Sequence, residues 1–323
     1  MRTGGIPRDG QELTADDWPT AAEREYAQLQ TALADHYGVG IASHALDVDD
    51  VGPVHYLEAG NSDGDPVLLL HGLSATAATW LPIVPALADA YRLVIPDRPG
   101  RGLSAPVDYH GRDLRRFLTA YLDALFGALD IGRTHVVGSS LGGLQAFLFT
   151  LDYDRTDRLC LVGGPGGLTR DLPLVPRLLT VRGLNRILYW LTTRGDPVET
   201  TREQLARIGV ADDSAIPELY YETWAAGAGL PGRFASVKSY NEAVGRFGRI
   251  HPLYDITDEV VTIANPTAYI WGTEDYYFDP EVGRPVAERM PNATFHTLED
   301  HGHIPFLEPT DEAERLVRSF LDG

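Results

Sequence analysis

Short apolar runs that alternate with longer amphipathic stretches constrain the fold of this 323-residue chain more than any other feature. Val67–Leu70 is a continuous apolar run, and strand-like segments follow at Leu93–Ile95, Thr134–Val137 and Arg158–Val162, each separated from the next by a segment of helical length. Continuous apolar runs are typical of strands that are buried on both faces. Strands that alternate with helices indicate a parallel sheet with crossover helices on its two faces. The sequence therefore predicts an α/β fold with a mostly parallel sheet flanked by helices.

The alternation is interrupted once. It stops at the glycine-rich segment 163–167 and resumes at the strand-like Thr267–Trp271. The residues between them have helical patterns, so one sheet domain with a helical insertion after its sixth predicted strand is the simplest organisation. The predicted parts are an N-terminal arm and helix over 1–40, a core over 41–167 and 249–323, and a helical insertion over 168–248.

A serine in a glycine-rich turn follows the predicted strand Thr134–Val137. Residues 138–142 read G-S-S-L-G, which matches the G-x-S-x-G pattern when Ser140 is central, whereas centring on Ser139 would put apolar residues at both glycine positions. A strand followed by this turn and a helix is the context that the pattern requires, because the residues beside the serine must be small. The pattern predicts that Ser140 is a nucleophile at the carboxyl end of a strand.

A serine hydroxyl needs an adjacent base, and the base needs an acid that orients it. Candidates for both follow the last two predicted strands, at the sheet edge where open α/β folds place their sites. The candidates are Glu274, Asp275, Asp279, His301 and His303. Asp279 precedes Pro280, which is typical of a helix N-cap, and we expect Glu274 to be solvated. The chain order of serine, acid and histidine fits one known arrangement of these groups.

A histidine and a glycine, His71 and Gly72, follow the apolar strand Val67–Leu70. A tetrahedral intermediate needs two N–H donors that are directed at its oxyanion. We expect the backbone N–H of Leu141, directly after the nucleophile, and that of Leu73, in this loop, to supply them. For His71 we expect a structural role in the loop.

With these motifs the chain resembles the α/β-hydrolase superfamily. The resemblance extends from about residue 54 to the C-terminus, apart from the insertion, and its motifs are H-G at 71–72, D-R-P-G-R-G-L-S at 97–104, the serine turn, W-G-T-E-D at 271–275 and G-H-I-P at 302–305. The resemblance implies a catalytic triad of Ser140, Asp275 and His303, with His301 and Asp279 as the alternatives. It also implies that residues 168–248 form a helical cap over the active site, and that Asp97 holds its own loop together.

The serine turn limits the reactions that the resemblance implies. Relatives that open epoxides or remove halogen use an aspartate at this position, so the resemblance argues against both reactions. The triplet H-G-L at 71–73 also lacks the H-G-x-G-P-G of meta-cleavage product hydrolases. The resemblance therefore implies that a small carboxylic ester, thioester or lactone is hydrolysed through an acyl-enzyme. We expect Trp80, Ile304 and Phe306 to line the site and to favour a substrate with an apolar group. The alternatives are a cofactor-free perhydrolase of the haloperoxidase type, an acyltransferase, a lyase on the same triad, or a non-catalytic ligand receptor.

The chain is strongly acidic, with 46 acidic residues, 27 basic residues and a net charge of −19. Such a surface repels phosphate groups, so we expect neither a nucleic-acid partner nor binding to a membrane. The single cysteine, Cys160, and the absence of a ligand cluster predict no metal site and no cofactor. Residues 1–10 are polar, and the longest apolar runs are too short to cross a bilayer. We expect a cytoplasmic monomer or homodimer.

The charge imbalance predicts a dependence of stability on salt. It fits adaptation to high salt, or a GC-rich genome that favours arginine, since Lys238 is the only lysine. The Debye length falls from ~30 Å at 0.01 M salt to ~3 Å at 1 M, so KCl relieves self-repulsion. We expect the melting temperature to rise with KCl, most steeply at low concentration, and then to level off. Melting curves in KCl and in sulfate separate this screening from salt exclusion, which continues to stabilise the fold. A flat curve in KCl would contradict adaptation to salt.

Overall fold

A nine-stranded sheet forms the centre of the computed structural model, which describes residues 9–192 and 195–323. The strands of the sheet are β1 (Asp9–Leu13), β2 (Ile41–Val48), β3 (Gly52–Gly60), β4 (Asp65–Leu70), β5 (Tyr91–Pro96), β6 (Thr134–Gly138), β7 (Thr156–Val162), β10 (Thr267–Gly272) and β11 (Ala293–Leu298). Their order is β1-β2-β3-β5-β4-β6-β7-β10-β11. The first three strands and the β3–β5 pair are antiparallel, and every later pair is parallel. The predicted α/β fold with a mostly parallel sheet is confirmed.

Helices connect the parallel strands and form the insertion. They are α1 (Ala21–His36), α2 (Val84–Leu87), α3 (Leu114–Ala128), α4 (Leu141–Asp152), α5 (Leu174–Leu179), α6 (Leu184–Thr192), α7 (Pro197–Ile208), α8 (Glu218–Gly229), α9 (Arg233–Val244), α10 (Thr257–Val260), α11 (Pro280–Ala287) and α12 (Glu312–Asp322). Local signals fix several of their ends. The side chain of Asp113 caps α3 by accepting from the N–H of Arg116, and Asp279 caps α11, which has Pro280 at its first position.

Both faces of the parallel strands are buried. In β4, Leu68 and Leu70 belong to the core on one face, while Val67 and Leu69 belong to the core on the other. All six residues of β10 are buried. Such strands need apolar side chains at consecutive positions, which is why they are visible in the sequence as continuous runs.

The predicted N-terminal arm contains a strand. Residues 1–8 lie outside the described part of the chain, but Asp9–Leu13 of the arm forms β1, which pairs with β2 at the edge of the sheet. Most of its side chains are exposed, so it has little apolar patterning. Because β1 precedes the strands that the sequence predicts, the insertion follows the seventh strand of the structure instead of the sixth.

The insertion contains α5 to α9 and ends in a two-stranded hairpin of β8 (Gly245–Arg246) and β9 (Arg249–Ile250). The sequence predicted no strand in this region, and the hairpin crosses the predicted boundary between residues 248 and 249. Strands of two residues are too short for a periodic pattern. None of the described helices is long and apolar enough to span a membrane.

Candidate active site

Ser140 occupies a strained turn between β6 and α4. Its backbone has φ 55° and ψ −117°, a conformation that residues other than glycine rarely adopt. The turn is tight: a Cβ on Gly142 would lie 1.9 Å from the carbonyl oxygen of Leu70, and one on Gly138 would lie 2.5 Å from the carbonyl oxygen of Gly142. Only glycine fits at these two positions. Ser140 is half-buried, whereas Ser139 is buried and its N–H donates to Leu70.

Asp275 and His303 form a buried pair. His303 Nδ1 lies 2.8 Å from Asp275 Oδ2, which also accepts from the N–H of Gly164 at 2.9 Å. Oδ1 accepts from the N–H groups of Tyr277 and Phe278. Burial alone would raise the pKa of Asp275, but the histidine and these donors outweigh it and hold the pKa below its usual value. The carboxylate is therefore ionised and fixed in orientation.

This pairing determines which ring nitrogen of His303 carries the hydrogen. Because the carboxylate can only accept, the hydrogen sits on Nδ1 and leaves Nε2 as an acceptor. Nε2 is buried and has no hydrogen-bond partner among the described residues. The structure records no hydrogen bond between Nε2 and Ser140, as is common before substrate binds. Ser140 and His303 line one cavity, so Nε2 is available to take the proton of the serine.

The loop after β4 is held by His71 and Arg98. His71 Nδ1 donates to the carbonyl of Gly72 at 2.8 Å, and its Nε2 accepts from the N–H of Arg98 at 3.0 Å. Burial and the nearby Arg98 guanidinium lower the pKa of His71 to about 3, so the ring stays neutral. Within one trans peptide the C=O and N–H point in opposite directions, so holding the Gly72 carbonyl also fixes the Leu73 N–H.

Two N–H groups border the same cavity. Leu73 and Leu141 line it, and neither N–H donates to an acceptor in the part of the chain that the structure describes. Leu141 is the first residue of α4, where an N–H has no partner within the helix and the helix dipole favours negative charge. This geometry supports the predicted oxyanion donors, whose role stays a prediction.

Other candidates from the sequence have structural partners. Asp279 caps α11 by accepting from the N–H of Glu281 at 2.9 Å, as predicted, and Glu274 is exposed. His301 is bound on both ring nitrogens, by the carbonyl of Glu299 at 2.7 Å and the hydroxyl of Thr310 at 3.0 Å. Asp275 and His303 therefore stay our candidates for the acid and base.

A second chain of serine, histidine and aspartate lies elsewhere in the core. Ser43 Oγ is 3.0 Å from His55 Nε2, and His55 Nδ1 is 2.6 Å from Asp97 Oδ2. Asp97 also accepts from the N–H groups of Ala77 and Leu103, so it holds loops together as the resemblance implies. None of these three side chains lines the cavity of Ser140. We assign this chain a structural role.

The cavity has a volume of about 800 Å³. Trp80, Ile304 and Phe306 all line it, and the Trp80 and Phe306 rings stack with centroids 4.7 Å apart. The cap contributes mostly apolar side chains, among them Val175, Leu179, Leu188, Trp224, Phe234 and Val237. The lining also includes the charged side chains of two arginines, Arg101 and Arg207. A mostly apolar cavity of this size suits a small molecule with an apolar group.

Sequence reasoning missed two positioning contacts. The first is the N–H of Gly164, which donates to the Asp275 carboxylate and lies in the glycine-rich segment where the predicted alternation stops. The second is Glu308, which accepts from the N–H of Gly302 at 2.8 Å and from the N–H groups of Ala211 and Asp212 in the cap. Glu308 thus ties the histidine loop to the cap. Contacts to backbone N–H groups that are distant in sequence leave no sequence pattern. The donor of the first contact does, however, lie in the conspicuous glycine run at 163–167.

Over the described ranges, no three His, Cys, Asp or Glu side chains are grouped so that they could hold a metal ion.

Comparison with models of protein families assigns the chain to a family. Residues 67–316 match the model of the alpha/beta hydrolase family. The chain belongs to the alpha/beta hydrolase family. Among curated relatives, it is 30% identical over 277 residues to a 2-hydroxy-6-oxononadienedioate/2-hydroxy-6-oxononatrienedioate hydrolase of Burkholderia vietnamiensis, covering 83% of this chain and 90% of the relative. It is also 30% identical over 281 residues to a 2-hydroxy-6-oxo-6-phenylhexa-2,4-dienoate hydrolase of Burkholderia cepacia, covering 83% and 91%.

Solved structures agree on the fold. A carboxylesterase of Bacillus subtilis superposes with a TM-score of 0.73 at 17% identity, covering 94% of this chain and 99% of the other. A meta-cleavage product hydrolase of Pseudomonas fluorescens gives a TM-score of 0.66 at 23% identity, covering 88% and 95%. At these identities the likeness shows the fold alone. The curated relatives also show that the missing H-G-x-G-P-G motif does not separate this alpha/beta hydrolase from the meta-cleavage product hydrolases.

The geometry predicts that turnover depends on Ser140 and not on its neighbour. Ser140→Ala should lower kcat by several orders of magnitude, up to the ~10⁶-fold seen when a triad serine is removed, with little change in stability. Ser139→Ala is the matched control and should keep most of its activity. Kinetics of both variants, with melting curves, check this; an active Ser140→Ala variant would refute the assignment.

The two aspartates give a second prediction. Asp275→Asn should lower kcat by roughly 10⁴-fold, because the amide no longer fixes the tautomer of His303. Asp279→Asn should leave both kcat and stability nearly unchanged, since asparagine caps helices as well as aspartate does. Steady-state kinetics of the two variants check this. A larger loss of kcat in Asp279→Asn than in Asp275→Asn would show that the acid had been misassigned.

Proposed function

We propose that this alpha/beta hydrolase cleaves a small carboxylic ester with an apolar group through an acyl-enzyme on Ser140. One observation carries the proposal: the strained Ser140 and His303, whose ring is held by Asp275, border a single, mostly apolar cavity of about 800 Å³. The cavity has room for an acyl chain or an apolar alcohol. Thioesters and lactones pass through the same steps and belong to the proposed substrate class.

Acylation follows from the positions of these groups. His303 Nε2 removes the proton of Ser140 as Oγ attacks the ester carbonyl, and the oxyanion receives hydrogen bonds from the N–H groups of Leu73 and Leu141. The intermediate then collapses and the bond to the alcohol oxygen breaks. The proton on His303 passes to the leaving alcohol, and the acyl group remains on Ser140.

Deacylation repeats the sequence with water. His303 removes a proton from water, the hydroxide attacks the acyl carbonyl, and the same N–H groups stabilise the second oxyanion. Collapse returns the proton to Ser140 Oγ and releases the carboxylic acid. In both halves the Asp275 carboxylate stabilises the imidazolium, and it stays ionised because its pKa lies below the usual range.

Hydrolysis of a carbon–carbon bond is the second candidate. The relatives at 30% identity are named for dienoate and dienedioate substrates, which carry carboxylates. Arg101 is buried at the cavity, where its Nε donates to Ala75 and its Nη2 to Ser74. Its Nη1 has no partner among the residues described, so it could pair with a substrate carboxylate. The mostly apolar lining favours the ester.

A series of p-nitrophenyl esters from acetyl to octanoyl tests the proposal. Each buried methylene contributes ~0.8 kcal/mol, or roughly fourfold in kcat/KM, so activity should rise to a maximum and fall once the cavity is full. Leu179→Phe, which fills part of the lining, should move the maximum to shorter chains. Leu129→Phe, at the end of α3 and outside the cavity, is the control.

The same enzyme preparation should be assayed with 2-hydroxy-6-oxo-6-phenylhexa-2,4-dienoate. Faster turnover of this compound than of every ester would overturn the ester proposal in favour of carbon–carbon hydrolysis. Equal rates along the acyl series would show that the cavity does not hold the acyl group. Products formed with added peroxide or alcohol distinguish the perhydrolase and acyltransferase alternatives.

A further inference from the structure

Positive charge is concentrated on one part of this acidic protein. Segments 168–189 and 245–254 together hold six arginines and one aspartate, a net charge of +5 when histidine is neutral, although the whole chain carries −19. Five of these arginines are exposed: Arg177, Arg182, Arg186, Arg246 and Arg249. The aspartate, Asp171, pairs with Arg249.

Exposed apolar side chains are found in the same place. Among the described residues, the large apolar side chains with substantial exposure all belong to the cap or to the hairpin and turn that follow it. Six of them adjoin the arginines in sequence: Leu174, Val175, Leu184, Ile187, Phe247 and Leu253. Large apolar groups that share an exposed region indicate an interaction surface.

The two segments are also neighbours in space. The backbone of Ile250 accepts from Arg170 Nε at 3.0 Å, and its N–H donates to the carbonyl of Arg170. The hairpin turn at Gly248 lies against the side chains of Arg177 and Val181, and α5 packs on α6. The two segments therefore adjoin each other, and their five exposed arginines and six exposed apolar residues are here called the cap patch.

Phe247 occupies a turn position that disfavours an aromatic residue, and its recorded ring contact is with the neighbouring Arg246. It and Gly248 form the two-residue turn between β8 and β9, with φ values of 53° and 71°. Such a turn needs positive φ at both positions and favours asparagine, aspartate or glycine; a bulky aromatic residue is strained there. Phe247 is 92% exposed, so burial within the protein does not offset the strain. The turn holds an aromatic ring out into solvent.

We propose that the cap patch docks this protein on the surface of a membrane that contains anionic lipids. Guanidinium groups bind lipid phosphates, and exposed leucine, isoleucine and phenylalanine side chains insert between headgroups. A single aromatic ring at the tip of a hairpin, with apolar side chains spaced among arginines, suits insertion into a lipid surface better than a pocket on a folded partner.

The net charge of −19 does not prevent this docking. At 0.15 M salt the Debye length is about 8 Å, so acidic groups far from the patch are screened from the membrane while the arginines touch it. Our expectation of no membrane partner used the charge of the whole chain and missed its distribution. Binding should be weak at very low salt, where the whole molecule is repelled, strongest at intermediate salt, and weak again at high salt.

The cap patch reaches the catalytic cavity. Val175 belongs to the patch and also lines the cavity, and Phe234 lines the cavity while 43% exposed. Docking through the patch would bring this side of the cavity to the lipid surface. The inference does not depend on which bond the enzyme cleaves.

Co-sedimentation with vesicles tests the proposal at about 0.15 M salt. The wild-type protein should bind vesicles of phosphatidylcholine with phosphatidylglycerol and should bind pure phosphatidylcholine at least about tenfold more weakly. Phe247→Asn should lower binding roughly tenfold or more, because the ring no longer inserts, while the melting temperature stays equal or rises. Arg182→Glu with Arg186→Glu should lower it by a similar factor.

Arg289→Glu with Arg315→Glu is the matched control, because these arginines are exposed outside the patch. It should bind vesicles as the wild type does, and all variants should keep the wild-type rate on whichever soluble substrate, ester or dienoate, the wild type hydrolyses. Absence of wild-type binding to anionic vesicles, or binding that the patch variants leave unchanged, would overturn the proposal. Self-association without vesicle binding, abolished by the patch variants, would instead make the patch an interface between copies and would also overturn it.

Discussion

The strained backbone of Ser140 is the constraint on which the rest of the site depends. A serine at φ 55° is tolerated only where its surroundings fix it, and here β4 and β6 do so as neighbours in the sheet. The carbonyl of Leu70, the last residue of β4, lies where a side chain on Gly142 would be and accepts the N–H of Ser139. The same strand then leads into the loop of His71 and Leu73. The proposed nucleophile and the proposed oxyanion donors are thus positioned by one pair of strands.

Sequence patterns predicted the features that depend on local chemistry. Buried parallel strands such as β4 and β10 need consecutive apolar residues, and the serine turn needs glycines at fixed positions. Both features can therefore be recognised in the sequence. Candidates for the acid and base could be found because three carboxylates and two histidines follow the last strands. Choosing Asp275 over Asp279 from the residues relied on Pro280, which marks the cap of α11.

The parts that sequence could not predict depend on contacts between distant backbone groups or on very short elements. Glu308 joins the histidine loop to the cap by accepting from three backbone N–H groups. Any residue type can supply such a donor, so these contacts leave no sequence pattern. β1 is an exposed edge strand, and β8 and β9 have two residues each. The cap patch was hidden for another reason: composition reports a sum of charges, while recognition depends on where they lie within a screening length.

Direct detection of the acyl-enzyme tests the central claim. After the protein is mixed with a p-nitrophenyl ester and quenched in acid within the first turnovers, peptide mass spectrometry should find the acyl group on Ser140. A burst of nitrophenol should accompany it, if deacylation is the slower step. The His303→Ala variant should accumulate far less of the adduct in the same time. An acyl group on Ser43 or Ser139, or wild-type turnover with no adduct on Ser140 even at the earliest quench, would contradict the account.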